Sequence, residues 1–279
     1  MKKRECGRYK LQLNRTLVMG ILNVTYDSFY DGGRYSRVED AIERTREMVS
    51  QGADIIDIGG ESTRPGSEPV SLDEEIQRVV PLIKSLSKKI KIPISIDSYK
   101  PEVVKKALDA GAMMINDTYG LRSSGMAEIV AESKLPVVIM HMQGTPKNMQ
   151  ENPKYKNVVK EIKEFFVERT EYAMNRGVKK SQIILDPGIG FGKTLEHNLA
   201  ILRNISEFKK LGYPLLVGPS RKSFIGKILD LPVEERLEGT IASAALIASQ
   251  GADIVRVHDV KEIVRALKVA DAIVKGVNR

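Results

Sequence analysis

The sequence predicts an α/β protein, a single-domain (β/α)8 TIM barrel, from three observations. Eight apolar runs alternate along the chain with polar stretches of helical character. Each run ends at a polar residue, as expected of barrels that assemble one site from the C-terminal ends of their strands. The chain has 279 residues, close to the length of about 250 that such a barrel needs. One site drawn from the whole chain is therefore expected.

The predicted strands are short runs of Ile, Val, Leu and Met without polar alternation. Continuous apolar runs indicate strands that are buried on both faces, which is typical of parallel sheets. The strands are expected at 17–22, 54–59, 92–97, 112–116, 136–141, 182–186, 214–218 and 253–257.

Helical periodicity is clearest at 38–51, 72–90, 100–110, 157–177 and 260–275. Ser71 or Asp73, and Pro101, are the expected helix starts. The segments QGADIIDIGG (51–60) and QGADIVRVHD (250–259) nearly repeat each other. In both, a glycine is expected to end a helix just before a strand, which is the turn of a repeated unit.

The ends of the chain and two loops complete the predicted organisation. Residues 1–16 carry six Lys or Arg against one Glu and are expected to form a basic arm at the barrel floor, with 17–279 as the barrel domain. The loops 24–35 and 61–70 are polar, rich in Gly and Pro, and longer than simple βα turns. They are expected to act as mobile lids.

Composition narrows the classes of function. The net charge is +8, but it is spread over amphipathic helices, so a solvated surface or a basic mouth for small anions is favoured over a nucleic-acid face. Cys6 is the one cysteine, which rules out an intramolecular disulfide and favours a reducing, cytoplasmic setting. No signal-peptide core and no apolar run long enough for a membrane span is visible.

The glycine-rich stretch DPGIGFGKT (186–194) fits neither common nucleotide loop. Pro187 stands where a P-loop needs its first Gly, and the spacing G-x-G-x-G is not that of a Rossmann fingerprint. Its glycines would let the backbone approach a flat ligand above Asp186. The alternative is a tight βα turn with Asp186 as a helix cap.

Two basic segments suggest an anion site. In GPSRKSFIG (218–226), Lys222 and Ser223 open a short helix, whose N-terminus favours negative charge; the alternative is a basic surface turn. In RVHDV, Arg256 and His258 alternate at a strand end and suit a phosphate or pyrophosphate. Neither of the other two histidines is expected to be catalytic. His141 is expected to pack at a strand end, and His197 is expected to lie on the surface.

Asp97, Asn116 and Asn23 also end strands. Each could be a helix cap or a turn residue, but together they suit a heterocycle that displays N–H donors and ring-nitrogen acceptors. The three histidines form no zinc motif. Mg²⁺ held by Asn23 and by substrate phosphate oxygens is compatible with the sequence.

Eight motifs in order give the chain a close resemblance to a known family. They are MGILNVTYDSFYDGG, DIIDIGGESTRPGS, ISIDSYK, INDTYG, VIMHMQGTP, ILDPGIGFGKT, GPSRKSFIG and RVHDV. From about residue 17 to 275 the chain resembles the dihydropteroate synthases, pterin-binding barrels of the folate pathway that sulfonamides target. The resemblance implies condensation of 6-hydroxymethyl-7,8-dihydropterin pyrophosphate with p-aminobenzoate, giving 7,8-dihydropteroate and pyrophosphate.

The resemblance also implies roles for individual residues. Those implied for the pterin are Asp97, Asn116, Asp186, Lys222 and Arg256; for pyrophosphate, Asn23, Thr63, Arg64, Arg256 and His258; for p-aminobenzoate, Phe191, Ser223, Thr63 and Pro65; for Mg²⁺, Asn23. Catalysis is implied for Asp97, Lys222, Arg256 and His258. A homodimer that acts on small molecules, without a membrane or a nucleic acid, is expected.

The implied chemistry is loss of pyrophosphate to a pterin-methylene cation near Asp97, followed by attack of the aromatic amine. Two residues of the first loop depart from the family pattern, since Tyr26 and Tyr30 stand where Pro and Ser are usual. Their bulk and the lost Pro bear on loop motion and sulfonamide sensitivity.

Two other functions share part of this pattern. A methyltetrahydrofolate–corrinoid methyltransferase would share the Asp and Asn residues for the pterin, but it would not need ESTRPGS, SRKS or RVHD. A non-catalytic pterin-binding paralogue would be expected to lose residues of the anion site or of the loops.

Overall fold

The computed structural model describes residues 3–24, 34–62 and 66–276. In this part of the chain the strands are β1 (Lys3–Cys6), β2 (Tyr9–Gln12), β3 (Leu17–Asn23), β4 (Ile55–Gly59), β5 (Ile94–Asp97), β6 (Met114–Asp117), β7 (Val137–Met140), β8 (Ile183–Asp186), β9 (Leu216–Val217) and β10 (Ile254–Val257). Each of the eight predicted strands corresponds to one of β3–β10.

The eight strands β3–β10 form a parallel barrel. Their order is β8-β7-β6-β5-β4-β3-β10-β9, and a parallel bridge between Leu185 and Leu215 joins the two edges. The amide of Leu185 donates to the carbonyl of Pro214 at 2.9 Å across this seam. Strands that follow one another along the chain therefore lie side by side, and the predicted (β/α)8 fold is confirmed.

Helices pack around the barrel. In the described residues they are α1 (Arg34–Ser50), α2 (Leu72–Leu86), α3 (Pro101–Ala110), α4 (Met126–Ser133), α5 (Val158–Met174), α6 (Leu195–Arg203), α7 (Ile205–Lys209), α8 (Ser223–Leu229), α9 (Leu237–Ser249) and α10 (Val260–Lys275). The five predicted helices are α1, α2, α3, α5 and α10. In the part of the chain that is described, no helix is both long and apolar enough to cross a bilayer.

The second predicted helix ends four residues early. Ser71 caps its start, with its side chain accepting from the amide of Glu74. At the other end the amides of Lys89 and Ile90 both donate to the carbonyl of Leu86, which tightens the last turn and brings Ile90 into the core. Burial of Ile90 thus overrides the helical pattern of 87–90.

Glycine ends the helices that precede the repeated strands, as predicted. Gly52 and Gly251 have φ of 102° and 94°, a left-handed conformation that costs glycine little and other residues more. The chain can therefore reverse from helix to strand within four residues on each repeat.

The N-terminal hairpin closes one end of the barrel. β1 and β2 pair antiparallel, and Cys6 and Leu11 are buried in a cluster with inward-facing side chains of the barrel strands. The cluster includes Leu17, Met19, Ile55, Met114, Val138, Ile184, Leu216 and Ile254. The N-terminal half of the barrel interior is therefore apolar and plugged.

The opposite half of the interior is polar. Side chains alternate along a strand, so a residue two positions after an inward apolar residue also faces inward. The residues two positions after Ile55, Met114, Ile184 and Ile254 are Asp57, Asn116, Asp186 and Arg256. The strand register thus brings one ring of polar groups together at the C-terminal end.

Candidate active site

Arg256 occupies the middle of the polar end, between two carboxylates. Its Nε lies 2.6 Å from Asp57 Oδ2, and its Nη2 lies 2.7 Å from Asp97 Oδ2. The three residues come from β10, β4 and β5. Because a guanidinium is planar, two such bonds fix the plane of the group. Arg256 is therefore a fixed cation facing the pocket.

Asn116 lies beside this pair and carries an unused acceptor. Its Nδ2 donates to Asp57 Oδ2 at 2.9 Å. Among the described residues its Oδ1 is buried without a hydrogen-bond partner. A buried polar atom left in this state costs about 1–3 kcal/mol. Asn116 Oδ1 is thus ready to accept from an N–H group of a ligand.

Asp186 and Lys222 form the other side of the pocket. Asp186 is buried and accepts from the amide of Gly188 at 2.8 Å. Burial raises the pKa of Asp186, with Lys222 opposing the shift. Burial also lowers the pKa of Lys222 to about 8, against the attraction of Asp186. The Lys222 ammonium lies 4.5 Å from the centre of the Phe191 ring.

The glycine-rich loop 186–194 is pressed against the neighbouring loop. A Cβ on Gly188 would lie 2.0 Å from the carbonyl oxygen of His141, and one on Gly192 would lie 2.3 Å from that of Gln143. Both glycines also have positive φ, of 66° and 64°. The glycines are needed for backbone contact between two loops, one of which carries Asp186.

A buried lysine, Lys193, stabilises this contact between the two loops. Lys193 Nζ lies 3.0 Å from His141 Nδ1 and donates to the carbonyl of Phe191 at 2.8 Å. Burial lowers the pKa of Lys193 well below its usual value and that of His141 as well. His141 also packs edge-on to Phe165, with ring centres 4.9 Å apart. His141 is thus a packed strand-end residue, as expected.

His197 supports the same region from the next helix. Its Nδ1 accepts from the amide of Thr194 at 3.2 Å, and the Thr194 hydroxyl accepts from the amide of His197. His197 is half-buried and packs edge-on to Tyr155. It caps α6 rather than facing the pocket.

Neighbouring residues of the SRKS segment (220–223) have different roles. Arg221 points away from the pocket: its Nε and Nη2 lie 2.8 and 2.7 Å from the carboxylate of Asp259, and it donates to backbone carbonyls at 233 and 234. Ser220 Oγ lies 2.9 Å from His258 Nδ1 and accepts from the amide of His258. Arg221 is structural, and Ser220 fixes the imidazole ring.

Asn23 is the strand-end residue nearest the first loop. It ends β3, is half-buried and pairs in register with Gly59. Among the described residues, no group of three or more His, Cys, Asp or Glu could hold a metal. A single amide oxygen fits Mg²⁺ that takes its other ligands from phosphate oxygens and water.

Several expected site residues lie outside the described residues. They are Thr63, Arg64 and Pro65 of the second loop and Tyr26 and Tyr30 of the first. The ends of the second loop are described, and Glu61 connects them. Its Oε2 accepts from Lys100 Nζ at 2.6 Å and from the amide of Val70 at 3.0 Å, and its Oε1 accepts from the Tyr99 hydroxyl at 3.0 Å.

The structure thus brings Asp97, Asn116, Asp186, Lys222 and Arg256 together, with Phe191 against Lys222. Ser223 is exposed at the first turn of α8. Sequence reasoning missed Asp57 and Lys193. Asp57 could have been found from the alternation of side chains along a strand. It lies two residues after the inward-facing Ile55, in the middle of β4 instead of at its end. Lys193 carried no such signal, because its burial depends on contact between two loops.

The chain matches known proteins over most of its length. Residues 19–258 match the family of pterin binding enzymes. The dihydropteroate synthase of Escherichia coli is 48% identical over 262 residues, which cover 94% of this chain and 93% of that protein.

Solved structures give the same result. A Yersinia pestis dihydropteroate synthase in complex with a sulfonamide drug is 45% identical, with a TM-score of 0.93 over 98% of this chain and 99% of that chain. A Xanthomonas albilineans dihydropteroate synthase in complex with 7,8-dihydropteroate is 40% identical, with a TM-score of 0.90 over 99% of this chain and 100% of that chain. This chain belongs to the dihydropteroate synthases, within the family of pterin-binding enzymes.

Proposed function

We propose that the polar end of the barrel condenses 6-hydroxymethyl-7,8-dihydropterin pyrophosphate with p-aminobenzoate, releasing pyrophosphate and forming 7,8-dihydropteroate. This is the transferase step of folate biosynthesis that gives the family its name. The observation that carries the proposal is the convergence of two carboxylates, an amide, a lysine and an arginine from five strand ends of the barrel.

The pterin would bind against Asp186 and Asn116. Both offer buried oxygen acceptors, and an amino-pyrimidinone edge offers N–H donors that match them. Lys222 would donate to a ring acceptor, and the fixed plane of Arg256 would stack on the ring. Burial makes each of these bonds stronger than it would be in water.

Pyrophosphate would leave with the electrons of its C–O bond, on the side of Arg256 and His258. Thr63 and Arg64 are assigned to the same group by the family motif. Asn23 would hold Mg²⁺, whose charge offsets that of the departing pyrophosphate. Ser220 holds the His258 ring in place at 2.9 Å, so His258 would meet the anion without reorganisation.

The pterin-methylene cation left behind would lie near Asp97. The carboxylate of Asp97 would stabilise it electrostatically, and the amine of p-aminobenzoate would then attack the methylene carbon and lose its proton. The p-aminobenzoate pocket would be lined by Phe191, Ser223, Thr63 and Pro65, as the family resemblance implies. Loops 24–35 and 61–70 would exclude water, which would otherwise trap the cation.

The test is pyrophosphate release from the dihydropterin pyrophosphate, measured with and without p-aminobenzoate in Mg²⁺. We expect release that depends on p-aminobenzoate and yields dihydropteroate. Asp186→Ala should abolish pterin binding. Pterin binding without p-aminobenzoate-dependent turnover would contradict the proposal and indicate a non-catalytic paralogue, with Tyr26 and Tyr30 as the first residues to revert.

The assembly we propose is a homodimer through α9 and α10, which pack against each other. Leu246 on α9 is 65% exposed, and Val269 and Ile273, four residues apart on α10, are 62% and 79% exposed. Exposed apolar groups on adjacent helices suit a second copy of the chain. Ile273→Lys should yield monomers in sedimentation experiments, and an unchanged mass would count against this face.

We also propose a cytoplasmic location. Cys6, the one cysteine of the sequence, is buried in the barrel floor, where it needs no oxidising environment. Recovery of the enzyme outside the cytoplasmic fraction of its cell would contradict this location.

A further inference from the structure

Asp57 lies beneath the pterin residues and contacts two of them. Its side chain is fully buried on β4. One oxygen, Oδ2, accepts from Asn116 Nδ2 at 2.9 Å and from Arg256 Nε at 2.6 Å. Asp57 is thus positioned to act on the ligand through these two neighbours, while its Oδ1 is buried without a hydrogen-bond partner among the described residues.

The contact decides which end of the Asn116 amide is available. With Nδ2 held by the carboxylate, Oδ1 is the end left without a protein partner. A flipped amide would place its oxygen against a carboxylate oxygen, and two acceptors repel each other. Asp57 therefore presents Asn116 as an acceptor for an N–H donor of the ligand.

The same carboxylate fixes the guanidinium of Arg256. Nε is bound to Asp57 while Nη2 is bound to Asp97. Loss of Asp57 would leave Arg256 held by one carboxylate and able to rotate about that bond. The two effects share one cause, because both partners donate to the same oxygen.

We propose that Asp57 is a positioning residue for pterin recognition, which orients the amide of Asn116 and the plane of Arg256. The proposal rests on the proposed function of the site. It differs from a purely structural role in that loss of Asp57 should weaken the pterin without changing the use of p-aminobenzoate.

The chain offers a matched control at the other end of the barrel. Asp54 precedes the same strand and accepts from Arg15 Nη1 and from the amide of Val18, both at 2.9 Å. Asp54→Asn therefore alters an arginine-paired carboxylate far from the site. Asp57→Ala and Asp57→Asn are the test variants, the second keeping an oxygen acceptor while removing the charge.

The measurement is the dissociation constant for 6-hydroxymethyl-7,8-dihydropterin pyrophosphate, with the KM for p-aminobenzoate beside it. We expect at least a tenfold loss of pterin affinity in Asp57→Ala, with its KM for p-aminobenzoate within twofold of wild type. In Asp54→Asn, both the pterin dissociation constant and the KM for p-aminobenzoate should stay within twofold of wild type. Pterin affinity within tenfold of wild type, or a matching rise in the KM for p-aminobenzoate, would overturn the proposal. If Asp57→Ala does not fold, Asp57→Asn takes its place in the test. At least a threefold loss of pterin affinity in Asp57→Asn would then support the proposal, and a smaller loss would overturn it.

Combination with Asn116→Ala tests whether Asp57 acts through Asn116. We expect the double variant to lose at least threefold less affinity than the product of the two single losses. Losses that multiply would overturn the positioning role. Wild-type protein that binds no pterin pyrophosphate would instead refute the function of the site itself, and the role of Asp57 with it.

Discussion

At the scale of single residues, the site holds an acid whose charge is finely balanced. Burial raises the pKa of Asp97 to about 7, with Asp57, Glu75 and Asp117 adding to the shift and Arg256 opposing it. The salt bridge to Arg256 at 2.7 Å is therefore outweighed by loss of water. Burial therefore favours the neutral form of Asp97 more than it would for an ordinary aspartate.

This balance predicts an acid limb in the pH profile. In the proposed mechanism the ionised carboxylate would stabilise the cation, so kcat/KM for the pterin substrate should rise as pH rises through about 7. Asp97→Asn should lower kcat/KM and flatten this limb. An acid limb that survives in Asp97→Asn would assign the titration to another group.

The stability of the fold should respond in the opposite direction. The pKa of Asp97 is higher in the folded chain than its ordinary 3.8, so between these values the folded state binds more protons than the unfolded one. The contribution of Asp97 to the free energy of unfolding is fully present below about pH 3.8 and is lost as pH rises through about 7. Urea unfolding across this range compares wild type with Asp97→Asn, and the stability of wild type relative to the variant should fall as pH rises.

Lys222 predicts the alkaline limb. Burial lowers its pKa to about 8, with Arg256 adding to the shift and Asp186 and Asp97 opposing it. Loss of the ammonium charge should reduce kcat/KM above about pH 8. Lys222→Arg keeps its charge at this pH, so it should retain activity into the alkaline range if the charge alone is required. A fall at the same pH in this variant would exclude Lys222 as its source.

At the scale of elements, Glu61 connects the two ends of the second loop. It accepts from the amide of Val70 and from Lys100, and Lys100 also reaches Glu75 at 2.6 Å. Opposite charges with little exposure depend on each other, so removing one partner leaves the other uncompensated. The loop that carries Thr63, Arg64 and Pro65 is thus anchored by buried charges at its base.

Glu61→Gln should therefore loosen this loop more than it unfolds the barrel. We expect faster proteolysis within 61–70 and a higher KM for p-aminobenzoate. Glu74→Gln is the control, since it removes a more exposed carboxylate that pairs with Arg78 one helical turn away. Equal proteolysis of both variants would show that Glu61 does not anchor the loop.

At the scale of the whole molecule, the two ends of the barrel serve different purposes. The hairpin β1–β2 seals the N-terminal end with Cys6 and Leu11, while titratable groups gather at the C-terminal end. Barrel enzymes in general place stability at the first end and chemistry at the second. Changes at the floor should therefore leave the site intact.

Leu11→Ala tests this division. Leu11 is 5% exposed, and removal of a buried Leu side chain costs about 2–5 kcal/mol of unfolding free energy. We expect a loss of this size in urea unfolding, with the KM for both substrates unchanged. A change in either KM, measured at a temperature where the variant is fully folded, would mean that the barrel floor and the site are coupled.

Local patterns in the sequence were enough to predict the barrel and several of the residues that gather at the C-terminal ends of its strands. Continuous apolar strands and repeated Gly turns are local patterns, and the residue ending each strand reaches the same rim because parallel strands share one direction. Asp97, Asn116, Asp186, Lys222 and Arg256 could therefore be named in advance.

Which side chains face one another could be seen only in the folded chain. Asp57 contacts Asn116 and Arg256 from strands two places away on either side of its own. Arg221 turns to Asp259, although Lys222 beside it faces the site. The pairing of Lys193 with His141 depends on two loops that approach to backbone contact. Such pairings join residues far apart in sequence, and their pKa shifts arise from burial, which no local pattern records.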